Sequence, residues 1–113
     1  MNHFLESEWV EGGGVAPTSP EPGLERRIGA KNSRLLIAEH RMKKEWIGAA
    51  HSHPQDQAVY VVRGHLRVRI GSDTFEMRGG DTFVVAGGVE HQASALEDSV
   101  VVDVFTPCRE DYL

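Results

Sequence analysis

The sequence lacks the features on which several classes of protein depend. It has a single cysteine, Cys108, in 113 residues, so no disulfide can form within the chain and a reducing compartment is expected. No apolar run approaches the length of a membrane span, and the first residues lack the basic and apolar stretches of a signal peptide. We therefore expect a cytoplasmic protein. The net charge of −5 argues against a nucleic-acid or anionic-membrane partner, because both require a basic surface.

Sustained helical periodicity is also missing. A run of three glycines followed by three prolines interrupts the first 22 residues, which denies them a long helix or a central strand. We predict that residues 1–22 form an N-terminal arm that is poorly organised or docks on a dimer partner. Residues 23–113 are long enough for one domain with one core.

Short strands are predicted throughout this domain. Leu66, Val68 and Ile70 alternate with arginines, which is typical of a strand with one wet face, and the following turn makes a hairpin with residues 74–77. Residues 99–105 are almost wholly apolar, which predicts a strand covered on both faces. Further strands are predicted at residues 35–38, 58–62 and 82–85. About eight short strands with glycine at the corners predict an all-β antiparallel sandwich or barrel.

Three histidines and a glutamine are the strongest functional signal. His51 and His53 are two residues apart, so on a strand both rings would leave the same face. Gln57 follows, and His91 comes after a pair of glycines whose backbone can turn its ring back toward the first two. Imidazole nitrogens and one amide oxygen suit a borderline divalent metal, such as zinc, nickel, manganese or iron. We predict one divalent metal ion per chain, held by His51, His53, Gln57 and His91.

Other interpretations of these residues exist. His51 and His53 could be idle loop histidines, although His91 at matched spacing favours the metal. Gln57 could be a core polar residue that is hydrogen-bonded to backbone. The other histidines have no partner at ligand spacing and are predicted to be surface residues: His3, His40 and His65.

A second cluster of functional residues lies near the C-terminus. On a strand, Asp103 and Phe105 share one face, and an aspartate in so apolar a strand is costly to bury unless it is paired or functional. Pro107 ends this strand and leaves Arg109 free to fold toward the same pocket. Arg109 could bind a carboxylate bidentately and Asp103 could move a proton. The alternative is that Asp103 and Arg109 simply pair with each other.

Two motifs resemble those of the cupin superfamily. They read GAAHSHPQDQ over residues 48–57 and GDTFVVAGGVEH over residues 80–91. In cupins, one motif supplies two histidines and an acid, and the other supplies a third histidine. This sequence departs from the usual pattern at four places: Glu45 for glycine, Gln57 for glutamate, Ala86 for proline and Ala95 for asparagine.

The C-terminal sequence DVFTPCREDYL, over residues 103–113, resembles that of the small pectin-degradation cupins of the KdgF type. HSHPxxQ and the stretch ALEDS at residues 95–99 share this similarity, which runs from about Gly23 to the C-terminus. The resemblance implies a single-domain cupin double-stranded β-helix, or jelly roll, that forms a homodimer. It also implies a metal-dependent enzyme that converts 4,5-unsaturated uronate monosaccharides to linear keto forms. By the same resemblance, Asp103 and Arg109 are the catalytic residues, and Phe105 and Arg109 contact the small acidic substrate.

Two other functions are compatible with these residues. One is a different small-acid metalloenzyme, either a non-haem iron dioxygenase or a lyase, because this ligand set also accepts iron. The other is a non-catalytic cupin that binds a small molecule in the same pocket. The jelly roll hosts many functions, so the fold does not choose between them.

Overall fold

A computed structural model describes residues 6–113, and β-strands dominate them. Helix is limited there to short 3₁₀ turns at Gly12–Gly14 and Glu110–Tyr112. None of the described helical segments is long and apolar enough to cross a membrane. The strands are β1 (Thr18–Glu21), β2 (Leu24–Lys31), β3 (Leu36–Met42), β4 (Asp56–Arg63), β5 (His65–Ile70), β6 (Asp73–Arg78), β7 (Thr82–Val85), β8 (His91–Ala95) and β9 (Ser99–Thr106).

Two antiparallel sheets form the predicted jelly roll. The larger has the strand order β1-β2-β3-β9-β4-β7 and the smaller has the order β6-β5-β8. The segment before β4 extends the smaller sheet by pairing with β8, with hydrogen bonds from the Gly48 amide to the Ala93 carbonyl and between the backbones of His51 and His91. The motif histidines therefore lie at the edge where this added segment meets the sheet.

The strands predicted from apolar runs and alternation are confirmed. β9 lies in the centre of the larger sheet, between β3 and β4, and most of its residues are buried as expected for an apolar strand. β1, β2 and β8 were not predicted. β2 carries three basic residues and β8 contains no β-branched residue, so neither sequence shows strand propensity.

Apolar side chains fill the space between the sheets in two clusters. The smaller cluster consists of Leu36, Ala38 and Phe105, with Cys108 and Tyr112 packed against it. The ring of Phe105 also packs against His53, at a centroid distance of 5.5 Å. This cluster therefore supports a site residue directly. The larger cluster comprises Leu24, Met42, Val59, Val61, Leu66, Val68, Met77, Ala95 and Val101.

The N-terminal arm is attached to the larger sheet. The Glu6 carboxylate accepts hydrogen bonds from the backbone amide of Ser33 and from Nη1 of Arg34, both 3.1 Å long. β1 is an edge strand and contains Pro20, as expected for a residue that cannot donate to a central ladder. The larger sheet thus begins at Thr18. The division of the chain into an arm, residues 1–22, and a domain, residues 23–113, stays a prediction. His3 lies outside the described residues.

Candidate functional site

The three motif histidines converge at the edge of the smaller sheet. One ring nitrogen from each of His51, His53 and His91 lies within 4.8 Å of those of the other two. The backbones of His51 and His91 form a β-bridge, but His53 lies outside regular strand. The expected placement of His51 and His53 on one strand is therefore only partly formed. The three rings converge instead because of the backbone bridge between His51 and His91 and the loop after His51, which carries His53. The three rings form a cluster that could hold a metal ion.

The hydrogen bonds of the rings select one tautomer. In each histidine, Nδ1 faces a backbone carbonyl two residues away in the sequence, at 2.9 to 3.0 Å. A carbonyl oxygen can only accept, so Nδ1 carries the proton and Nε2 of the neutral ring carries a lone pair. This is how metal-ligating histidines are commonly oriented. The three pairs are His51 with Ala49, His53 with Gln55, and His91 with Val89.

His91 gives the clearest sign that this cluster is suited to a cation. Its Nε2 is buried and has no hydrogen-bond partner among residues 6–113. Burial lowers the pKa of His91 below its ordinary value, and the neighbouring His51 and His53 lower it further, so the ring favours its neutral form. A buried lone pair without a donor is unusual, and a metal ion would satisfy it.

Gln57 completes the donor set. Its Oε1 lies 3.0 Å from Nε2 of His53, and its amide nitrogen donates to Oδ1 of Asp103 over 2.8 Å. With His53 in the tautomer described above, Oε1 and Nε2 are two acceptors that face each other. A shared cation is what such a pair requires. The partners of Gln57 are side chains, which does not match the alternative of a glutamine bonded to backbone.

Close backbone packing holds the His53 loop against the turn before His91. The Gly88 amide donates to the His53 carbonyl over 2.8 Å. A Cβ at Gly87 would lie 2.1 Å from the Pro54 carbonyl oxygen, so only glycine fits there. Glu45, which stands where the cupin pattern has glycine, adopts a φ of 78°. The left-handed turn is thus retained with a residue that rarely adopts it.

Asp103 is buried and fully hydrogen-bonded within the larger sheet. It is 3% exposed, and its Oδ2 lies 2.5 Å from Nδ1 of His40, while Oδ1 accepts from Gln57. Arg26, directly opposite His40 on the neighbouring strand, donates from Nε to Nε2 of His40 over 3.0 Å. Since arginine can only donate, His40 accepts at Nε2 and donates from Nδ1 to Asp103. A continuous hydrogen-bonded chain thus runs from Arg26 through His40 and Asp103 to Gln57, whose Oε1 lies beside Nε2 of His53.

The prediction that His40 is a surface residue was wrong, since it is 7% exposed. The alternation of β3 could have revealed this, because every second residue from Leu36 to Met42 is buried and His40 falls on that face. His65 is half-buried rather than exposed; it lies outside the cluster, and its Nε2 contacts the Glu76 carboxylate at 2.6 Å.

Arg109 does not pair with Asp103. Its Nε donates to the carboxylate of Asp111, at 3.1 Å to each oxygen, and its Nη1 donates to the Tyr112 hydroxyl over 2.9 Å. Burial raises the pKa of Tyr112 above its ordinary value, so the hydroxyl keeps its proton while it accepts from Arg109. The guanidinium lies 5.1 Å from the ring centroid of Phe105. Phe105 itself is fully buried behind His53.

A cavity of about 330 Å³ joins these groups. This volume is at the lower end of the range for small-molecule sites and suits one monosaccharide. The lining combines polar groups with aliphatic and aromatic side chains, so the cavity can contact both the polar and the apolar parts of a sugar. The polar lining includes Glu21, Arg26, His40, His51, Gln57, His91, Gln92, Asp103, Arg109 and Tyr112, and the apolar lining includes Leu24, Met42, Val59, Leu66, Val68 and Phe83.

The chain is similar in sequence and in structure to known proteins. The family model described as "Cupin domain" matches residues 38–105. The pectin degradation protein KdgF of Dickeya dadantii (strain 3937) is 30% identical over 115 residues, which cover 98% of this chain and 97% of that protein. The structure of KdgF from Halomonas sp. superposes with a TM-score of 0.90 at 32% identity, covering 95% of this chain and 99% of that one. A RmlC-like cupin from Shewanella frigidimarina NCIMB 400 gives a TM-score of 0.90 at 27% identity, covering 95% and 96%.

Proposed function

The chain belongs to the cupin family, and we propose that it is a metal-dependent enzyme of uronic-acid polysaccharide catabolism, such as pectin degradation. In this proposal it converts 4,5-unsaturated uronate monosaccharides to their linear keto forms. The similarity to two KdgF proteins along nearly the whole chain supports the pathway. The observation that carries the reaction is Asp103, a buried carboxylate that lines the cavity and reaches the histidine cluster through one glutamine.

The proposed metal ligands are Nε2 of His51, His53 and His91 and Oε1 of Gln57. The support is the shared tautomer of the three histidines, the buried Nε2 of His91 without a partner, and the acceptor pair between His53 and Gln57. A bound divalent cation would supply electrostatic stabilisation of negative charge on a sugar oxygen. Because the amide of Gln57 is neutral, it leaves the charge of the cation uncompensated.

Asp103 is the proposed acid-base group. It takes the proton from the anomeric hydroxyl as the bond between C1 and the ring oxygen breaks, which leaves an aldehyde at C1. The ring oxygen keeps the electron pair and becomes the enolate oxygen on C5. Asp103 then returns the proton to C4, and the C5 oxygen becomes a ketone. The reaction is an isomerisation, so it needs neither water nor a redox partner.

The neighbours of Asp103 position its carboxylate for this proton transfer. His40 and Gln57 each donate to one of its oxygens, which fixes the carboxylate in place. Each oxygen retains a lone pair that a substrate hydroxyl can use. Phe105 packs against His53 and keeps that ring in position, and Arg109 lines the cavity near the substrate.

A homodimer is the proposed assembly. The outer face of the larger sheet exposes a continuous apolar patch, in which Tyr60 is 49% and Val84 is 70% exposed. Val84 lies opposite Ala58 in the register, and Tyr60 lies opposite Val102. A contiguous apolar surface of this kind marks an interaction site, and a second copy with residues of the N-terminal arm would cover it.

The test of the proposed reaction is the identity of the product. Unsaturated monouronates, prepared by lyase digestion of polygalacturonate, are incubated with the metal-loaded protein and followed by proton NMR. We expect the vinyl proton at C4 to disappear, and the linear keto form to accumulate, faster than in buffer. A rate equal to that in buffer with each candidate metal would contradict the proposal.

A further inference from the structure

The cavity contains a second guanidinium group, that of Arg26, besides that of Arg109. Arg26 lies on β2, and the only hydrogen bond of its side chain to a described residue is the one from Nε to Nε2 of His40. Its Cζ lies 3.7 Å from the ring centroid of Tyr112, a distance typical of a cation–π contact. The group is therefore fixed by a neutral histidine and an aromatic ring, neither of which compensates its charge.

The two arginines differ in what they can still bind. The charge of Arg109 is compensated by Asp111, and two of its three nitrogens already donate within the chain. Arg26 forms no ion pair with any acidic residue among residues 6–113. Glu21, the other acidic residue of the cavity lining besides Asp103, accepts instead from the indole nitrogen of Trp46.

We propose that Arg26 binds the carboxylate of the acidic substrate and thereby selects uronates over neutral sugars. Both terminal nitrogens of Arg26 have no partner among the described residues, and together they form the edge of the guanidinium that grips a carboxylate bidentately. This proposal rests on the proposed function for the identity of the substrate as a uronate. It assigns to Arg26 the task for which the sequence had suggested Arg109.

The surroundings of Arg26 make it suited to this role before substrate arrives. His40 and Tyr112 restrict its side chain, so little further ordering is needed on binding. His40 also contacts Asp103, which couples the position of the carboxylate-binding group to that of the acid-base group. The side chain of His40 thus connects Arg26, which would bind the uronate carboxylate, to Asp103, the proposed acid-base group.

The chain offers a matched control for a test of this role. Arg27 is the next residue on the same strand, with a side chain that does not line the cavity. The variants are Arg26→Met, Arg26→Lys and Arg27→Met, each checked for metal content and for the circular dichroism of the folded protein. Affinity for D-galacturonate and for the neutral sugar D-galactose is measured by calorimetry or by ligand-observed NMR.

We expect wild type to prefer galacturonate over galactose. Arg26→Met should weaken galacturonate binding by about 10- to 100-fold, the usual effect of losing hydrogen bonds to a charged group, and should leave galactose binding unchanged. The affinity of Arg26→Lys for galacturonate should lie between those of wild type and Arg26→Met. Lysine keeps the positive charge but lacks the two terminal nitrogens that bind a carboxylate bidentately. Arg27→Met should match wild type.

Two results would overturn the proposal: a wild-type protein that binds galactose as tightly as galacturonate, or an Arg26→Met variant that keeps the wild-type preference. If Arg26→Met does not fold, an Arg26→Lys variant with wild-type galacturonate affinity would also count against it. The outcome is separable from that of the proposed reaction. A protein that prefers galacturonate through Arg26 but does not consume unsaturated uronates supports this proposal and contradicts the reaction.

Discussion

Each face of the larger sheet departs at particular positions from the usual distribution of polar and apolar side chains. The inner face, which should be apolar, buries Asp103 and His40 and carries Arg26 and Gln57. The outer face, which should be polar, exposes apolar side chains such as Tyr60 and Val84. Both faces are built from the same strands, which alternate residue by residue.

Each departure from the burial rule indicates a different function. Buried and half-buried polar groups are costly unless they are paired, and here four of them form one hydrogen-bonded chain that ends at the proposed metal-ligand cluster. Exposed apolar groups are costly only when they are contiguous, as they are on the outer face. We therefore assign chemistry to the inner face and assembly to the outer face, and changes on each face should have separable effects.

The largest expected effect is the loss of metal from the inner site. In a His51→Ala/His91→Ala double variant, two of the proposed ligands are absent, so the protein should lose its metal ion and all activity on unsaturated uronates. The control variant His65→Ala removes a histidine outside the cluster, so it should keep both the metal ion and the activity. Metal analysis of the purified proteins decides the question, and equal metal content in the double variant and wild type would contradict the ligand assignment.

The next largest effect is expected at Asp103. Asp103→Asn preserves the shape of the side chain but removes the acid-base group, so the turnover rate should fall by roughly 10² to 10⁴. Metal content should not change. Asp73→Asn, at the exposed first position of β6, serves as the control and should have the wild-type rate. If Asp103→Asn is as active as wild type, the proton-transfer role is wrong even though the activity stands.

A change on the outer face should alter assembly alone. Tyr60→Glu/Val84→Glu places charges in the proposed interface, where they would be desolvated and would face like charges, so the dimer should dissociate at micromolar concentration. Thr74→Glu on the smaller sheet, also exposed, should leave the dimer intact. Light scattering measures the mass of each protein. A monomeric wild type, or a double variant that stays dimeric, would show that this face is not the interface.

The smallest effect is expected at His40, which supports Asp103 without belonging to the ligand set. His40→Ala removes one hydrogen-bond donor from a buried carboxylate, and we expect a rate about tenfold lower and a free energy of unfolding lower by about 1 to 3 kcal/mol. His40→Asn can restore a donor near the position of Nδ1 and should recover part of the rate. Urea unfolding and steady-state kinetics measure the two effects. Identical rates for His40→Ala and wild type would indicate that His40 is only structural.

The sequence predicted the part of the site that depends on local spacing. The two histidines of the first motif lie two residues apart, and the third follows a glycine turn, so short segments define most of the cluster. The central strand β9 was likewise visible as an apolar run. The jelly roll followed from the number of short strands and from the resemblance to cupins, and it is confirmed.

The part that depends on strand register was not predicted. Arg26 and His40 meet because β2 and β3 pair with a particular register, which no local pattern reports. The sequence LERRIGAK of β2 has the composition of a solvated surface, so Arg26 gave no sign of facing a cavity. Asp111 and Tyr112, which hold Arg109, come from a 3₁₀ turn whose position is set by packing against Phe105. Tertiary contacts, rather than local propensity, decide these features.

The central claim is that the cavity between the two sheets is a metal-dependent site for opening unsaturated uronates. The most direct measurement is the rate at which wild-type protein removes the enol absorbance of these sugars, first after chelation and then after one equivalent of a divalent metal is restored. We predict a rate no faster than buffer in the metal-free protein and recovery of activity on reloading. The account would be contradicted if the metal-free protein kept its full activity, or if no reloaded protein exceeded the rate in buffer.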